Sequence, residues 1–240
     1  ANRAAALRAR HAREGRHAPS FLIASITSRC NLRCAGCYAR ANRLCHDGAD
    51  DALLRDEEWD RVFTQARDIG VSFILLAGGE PLLRRGVLEL AARHADVLFP
   101  VFTNGTLLSG DMIGLFDRNR NLVPILSIEG DEVRTDARRG AGVYAALQRG
   151  MRGLSGRGVF FGASITVTTE NLIQVTSDAF LGALRGGGCR IAFYIEYEPT
   201  DSAAAGLASG DAERAYLAAR LDALRAQEDG MLYVSFPGDE

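Results

Sequence analysis

Residues 71–81 read VSFILLAGGEP. Seven residues with hardly a polar side chain among them run straight into two glycines, a carboxylate and a proline. A strand with one wet face alternates apolar with polar. A strand apolar at nearly every position is buried on both faces, as in a parallel sheet covered by helices. The Gly-Gly-Glu-Pro that stops it is turn chemistry. This one stretch therefore predicts an α/β chain with further strands beside it and crossover helices over it.

Working outward, residues 21–27 (FLIASIT) read as a strand, and 56–69 as a helix with Trp59, Val62, Phe63 and Ala66 at helical spacing. Further strands are expected at 97–103, 123–128, 159–167, 191–197 and 231–236. They alternate with helices at 86–93, 109–116, 141–154, 177–185 and 211–228. Six strand-then-helix units and a terminal strand imply a parallel sheet with right-handed crossovers. A full eight-unit barrel takes about 250 residues, so six units in 240 residues point to a parallel partial (β/α)6 barrel. The expected organisation is a lead-in over 1–19, a core domain over 20–200, and a C-terminal helix and strand over 201–240. In such folds the chemistry sits in the loops after the strands' C-terminal ends.

Composition narrows the function classes. Hydrophobic residues make up 47% and the net charge is −2, which argues against binding driven by phosphate contacts, so no DNA partner is expected. All 28 basic residues are arginine, so no lysine serves as Schiff base or general base. No apolar run is long enough to span a membrane, and residues 1–17 lack the apolar core of a signal peptide. Five cysteines stand at 30, 34, 37, 45 and 189, three of them within eight residues. That crowding is no disulfide framework, and a reducing, cytoplasmic location fits it.

The crowded segment is Thr27-Ser28-Arg29-Cys30-Asn31-Leu32-Arg33-Cys34-Ala35-Gly36-Cys37-Tyr38, directly after the first strand. Thiolates are soft ligands for iron–sulfur clusters and zinc. In a four-iron cluster each iron takes one cysteine, so Cys30, Cys34 and Cys37 would leave one iron open to a substrate. Two alternatives remain. One is a zinc site completed by Cys45 or His46; the other is a closed electron-carrier cluster with Cys45 as fourth thiolate.

C-x3-C-x2-C after the first strand, with an aromatic beside the last cysteine, resembles the signature of radical S-adenosylmethionine enzymes. The usual pattern has the aromatic just before the third cysteine; here Gly36 stands there and Tyr38 follows. The form C-N-x-x-C-x-x-C-Y is similar to that of the subgroup that modifies peptides and proteins. The resemblance implies a 4Fe-4S cluster, S-adenosylmethionine, a reductant such as ferredoxin or flavodoxin, and a peptide or protein substrate. Relatives often continue into a cysteine-rich segment, and the strand that ends at Phe236 fits a chain leading into one.

The resemblance also implies roles for the strand ends. Tyr38 lies beside the cofactor. Gly78, Gly79, Glu80 and Pro81 receive the methionyl ammonium, through bared backbone carbonyls and a carboxylate. Thr103 and Asn104 form a turn near the ligand. Ser127 and Glu129 share one strand face and reach the ribose, Glu129 standing where relatives have Asp. Arg139 matches a downstream arginine that grips a carboxylate, and Ile165 offers an apolar wall to adenine. In the sixth strand, alternation separates Ile191, Phe193, Ile195 and Tyr197 from Tyr194 and Glu196. With the apolar set against the helices, Tyr194 and Glu196 are expected in the barrel lumen as catalytic candidates. The chemistry implied is reductive cleavage of S-adenosylmethionine, giving a 5′-deoxyadenosyl radical that abstracts hydrogen from substrate.

Overall fold

A computed structural model describes residues 2–46 and 53–236; residues 237–240, the end of the expected C-terminal segment, lie outside them. The strands are β1 (Phe21–Thr27), β2 (Phe73–Gly78), β3 (Phe99–Thr103), β4 (Leu122–Ser127), β5 (Gly162–Val167), β6 (Ile191–Glu196) and β7 (Leu232–Phe236). They form one sheet in the order β1-β2-β3-β4-β5-β6-β7, with every neighbouring pair parallel. The helices are α1 (Asn2–Arg13), α2 (Tyr38–Ala41), α3 (Asp56–Ile69), α4 (Arg85–Arg93), α5 (Gly110–Arg118), α6 (Glu132–Arg139), α7 (Val143–Gly156), α8 (Leu172–Val175), α9 (Asp178–Gly186) and α10 (Asp211–Arg225). The terminal strand thus joins the same sheet as a seventh member. Helix starts follow their caps: Ser109, Asp131 and Ser177 accept from the backbone N–H of Met112, Arg134 and Phe180.

The sheet is curled into a half-barrel. Phe21, first in β1, meets Phe236, last in β7, with ring centroids 6.3 Å apart and edge to face. First and last strands come together only in a sheet that is rolled, with its strands staggered along the ladder. The convex face carries the main core, where Ile74, Leu76, Phe99, Val101, Leu126 and Ala163 pack under Phe63, Leu88, Phe116 and Leu147 of the helices. Leu75 is buried on the other face, so residues 74–76 are shielded on both sides as the apolar run requires. On the concave face Phe102 of β3 meets Phe193 of β6 at 5.4 Å. Between them on this face lie Ile125 of β4, the register partner of Phe102, and Gly162 and Ser164 of β5, which are small enough to leave room for the Phe193 ring to reach across.

That contact corrects the reading of β6. Phe193 faces the lumen, and Tyr194 lies on the helix side, fully buried, its hydroxyl donating to the Val175 carbonyl of α8 at 2.9 Å. Glu196 shares that side and accepts from Arg214 of α10 at 2.8 Å. Ile165, paired with Tyr194 across the ladder, is likewise in the sheet–helix core and presents no wall to a ligand. Alternation separated the two sets correctly but attached each to the wrong face, and an error of one position exchanges the faces entirely. The phenol went inward because α8 supplies a carbonyl for it, while the plain phenyl ring needs no partner in the lumen. Tyr194→Phe is therefore expected to cost about 0.5–1.5 kcal/mol of folding stability and to leave turnover unchanged. Urea unfolding and an activity assay check both halves, and a turnover defect with normal stability would restore a catalytic role.

Candidate functional site

The cysteine loop leaves β1 at the C-terminal mouth of the half-barrel and is held by three sets of contacts. The first is backbone to backbone. Gly79 N–H donates to Thr27 O at 2.7 Å and Glu80 N–H to Arg29 O at 2.8 Å. A side chain on Gly78 would strike Thr27 O, and one on Gly79 would strike Arg29 O. The two glycines are thus required so that β2's exit can lie flush against the chain leading to Cys30.

The second set runs through Glu80, which is buried and turned inward. Its carboxylate accepts from Leu82 N–H at 3.0 Å, Thr103 Oγ1 at 2.7 Å and Asn104 N–H at 2.8 Å. Burial pushes its pKa up, and these three donors pull against that. Asn104 Nδ2 in turn donates to Asn31 Oδ1 at 2.9 Å, and Asn31 Nδ2 to Thr106 Oγ1 at 2.8 Å. Asn31 lies between the first two cysteines, so β2, β3 and the loop share one polar network. Glu80 therefore braces the loop through Thr103 and Asn104. Pro81 opens the short turn beneath it.

The third set grips the segment between Cys34 and Cys37. Ala35 N–H donates to Arg138 O at 2.8 Å, and Arg138 Nε returns to Ala35 O at 3.2 Å. Arg138 and Arg139 both bind Glu129, Arg138 Nη1 at 3.0 Å and Arg139 Nε at 2.9 Å. The Glu129 side chain is only 3% exposed. Sequence alternation put Glu129 beside Ser127 on one strand face, but β4 ends at Ser127 and Glu129 lies beyond it. Glu129 and Arg139 are thus committed to each other. Ser127 stays half-buried on the concave side, next to Ser164.

Cys30, Cys34 and Cys37 are free and partly exposed, and Tyr38 beside them is 56% exposed. Burial pushes the Cys30 thiol up to about 11, and Cys34 above its usual value against the pull of Arg139. Among the described residues no three His, Cys, Asp or Glu side chains converge closely enough to hold a single metal ion. His46, offered as a zinc ligand by sequence, is bonded to Ser28 Oγ at 3.0 Å. Three spaced soft donors on one clamped loop suit a cluster, whose thiolates bind separate irons at its corners. Beside the loop opens a cavity of about 870 Å³, lined by Gly36, Glu129, Arg138, Asn171, Gln174 and Tyr197 among others. Sequence reasoning missed Asn31, Thr106 and Tyr197. Only Asn31 carried a signal, its place directly after the first cysteine.

Comparison with known proteins follows the same geometry. The model of the Radical SAM superfamily matches residues 24–175. Fe-coproporphyrin III synthase of Methanosarcina barkeri is 28% identical over 180 residues, covering 69% of this chain and 44% of that protein. PqqA peptide cyclase of Rhizobium meliloti is 36% identical over 115 residues, 47% of this chain and 29% of that one. The crystal structure of Streptococcus suis SuiB bound to S-adenosylmethionine superimposes with a TM-score of 0.72 at 15% identity, over 91% of this chain and 50% of that chain. The chain thus spans half or less of the length of these proteins. No described helix is long and apolar enough to cross a membrane.

Proposed function

Because the chain belongs to the Radical SAM superfamily, whose members use a 4Fe-4S cluster and S-adenosylmethionine, we propose that it holds such a cluster through Cys30, Cys34 and Cys37 and cleaves S-adenosylmethionine reductively. The observation that carries this reading is the loop itself: three thiols clamped at the mouth of a parallel half-barrel, where among the described residues no three metal-binding side chains converge on a single ion. When bound, the cluster and S-adenosylmethionine supply an electron and a 5′-deoxyadenosyl radical that takes a hydrogen atom from substrate.

The chain's own residues hold, orient and shield. Gly78 and Gly79 bring backbone up to the loop where a side chain would obstruct it. Asn104 braces Asn31 next to Cys30, Tyr38 directly follows Cys37, and Ser127 offers a hydroxyl from the concave wall. The Phe102–Phe193 contact gives the lumen an apolar floor that keeps water and competing donors from a reactive species. The similarity to PqqA peptide cyclase supports a peptide or protein as substrate. A ferredoxin- or flavodoxin-type protein is the proposed reductant, and the cytoplasm the proposed location. Residues 20–200 form the proposed catalytic core, followed by the helix and strand of 201–240.

The test is spectroscopic. S-adenosylmethionine added to the anaerobically reduced chain should change the electron paramagnetic resonance signal, and 5′-deoxyadenosine should appear on turnover. An unchanged signal at saturating ligand, with no 5′-deoxyadenosine, sinks the proposal.

A further inference from the structure

The loop residue between Cys34 and Cys37 that abuts the last thiol is glycine, and something else fills its side-chain space. Gly36 has φ +60°, and a Cβ placed on it would lie 2.5 Å from Tyr197 Oη, 3.0 Å from Cε2 and 3.2 Å from Cζ. Tyr197 comes from the far side of the half-barrel, directly after β6. Its backbone N–H donates to Val167 O at 3.1 Å, so the sheet fixes its position. The residue is only 4% exposed. The Arg138 guanidinium lies 5.5 Å from the ring centroid, a cation–π distance, while the same guanidinium holds Ala35 O and Glu129. The Ala35–Gly36 peptide is thus gripped by α6 and backed by a ring delivered from β6.

We infer that Tyr197 is a positioning residue for the cysteine loop: its ring takes the place a side chain at Gly36 would occupy and fixes where Cys34 and Cys37 stand. The inference rests on the proposed role of those cysteines for its functional meaning, but the placement itself is independent of any metal. Among the described residues the Tyr197 hydroxyl makes no hydrogen bond, so hydroxyl and ring edge alike position the loop by contact. The Asn31 contacts hold the Cys30 end separately.

The experiment is site-resolved alkylation of the full chain with iodoacetamide after its metal is removed, read by mass spectrometry. Tyr197→Ala is expected to raise the rates at Cys34 and Cys37 about tenfold, as local opening does, and to leave Cys30 and Cys189 unchanged. Tyr197→Phe, which loses the hydroxyl but keeps the ring atoms Cε2 and Cζ beside Gly36, should stay closer to the native chain than to the Ala variant. The inference is overturned by unchanged rates at Cys34 and Cys37, by a rise at all four cysteines together, or by a Phe variant as loose as the Ala variant. A second measurement stands if Tyr197→Ala unfolds. Gly36→Ala should lower the native chain's melting midpoint by more than twice what it does in a Tyr197→Leu background, because the backbone strain is common to both and the clash is not. Equal losses in the two backgrounds also overturn it. Iron content of the native chain is measured alongside: a chain without iron refutes the cluster reading and leaves the positioning result standing.

Discussion

Cys34→Ala is expected to abolish iron binding, with the anaerobically reconstituted variant retaining essentially none, whereas Cys45→Ala and Cys189→Ala keep the native content. Each of the three protein-held irons of such a cluster takes its own thiolate, so losing one of three removes a corner that no neighbour replaces. The clamps sharpen the effect, because Ala35 is pinned to Arg138 and the loop cannot slide to recruit another donor. Burial raises the pKa of the Cys30 and Cys34 thiols, so the metal must displace protons, and assembly should weaken as pH falls. Cys189 is fully buried, its thiol donating to Ile191 O at 3.2 Å. Cys45 is the discriminating position. It is buried and lies close enough to Cys30 to raise its pKa. Iron lost as completely in Cys45→Ala as in Cys34→Ala would mean a closed four-thiolate site. Zinc in place of iron and sulfide would mean a structural one.

Particular residues show what a sequence can and cannot reveal here. Residues 71–77 disclosed a parallel sheet because burial on both faces removes the polar alternation that any other sheet would show. The cysteine spacing disclosed the loop because ligand geometry is written into neighbouring positions. The α6 helix was missed: EVRTDARR buries only Thr135, so no apolar stripe marks it, and its worth lies in two arginines aimed at the Glu129 carboxylate just past β4. Glu80 was legible as a strand-end carboxylate, but its bonds to Leu82, Thr103 and Asn104 were not, since nothing local tells which donors of the next turns will reach it. Tyr197 and Gly36 are 161 positions apart. Their fit exists only once the sheet has curled and brought β6's end over β1's exit. Local spacing was legible; the pairings made by curvature were not.

Glu129→Ala carries the second large expectation, a loss of about 3–5 kcal/mol of folding stability. The carboxylate is 3% exposed, and its partners Arg138 and Arg139 are 20% and 12% exposed at the side chain. Removing it leaves two guanidinium groups close together and poorly hydrated, with repulsion where there was attraction. Arg138 also donates to Ala35 O and lies against the Tyr197 ring, so the damage should spread to the cysteine loop as faster alkylation of Cys34. Glu129→Gln keeps the shape and one acceptor but removes the charge, and should fall between Ala and native. Equilibrium unfolding in urea measures all three. A loss below about 1 kcal/mol, the scale of an exposed ion pair, would show that water reaches the pair and that it does not brace the loop. The Gln variant also separates the two roles proposed for this residue. Native-like stability with abolished S-adenosylmethionine binding would make Glu129 a cofactor contact. Lost stability, with binding recovered when the variant is kept folded at low temperature, makes it the bolt that joins β4, α6 and the cysteine loop.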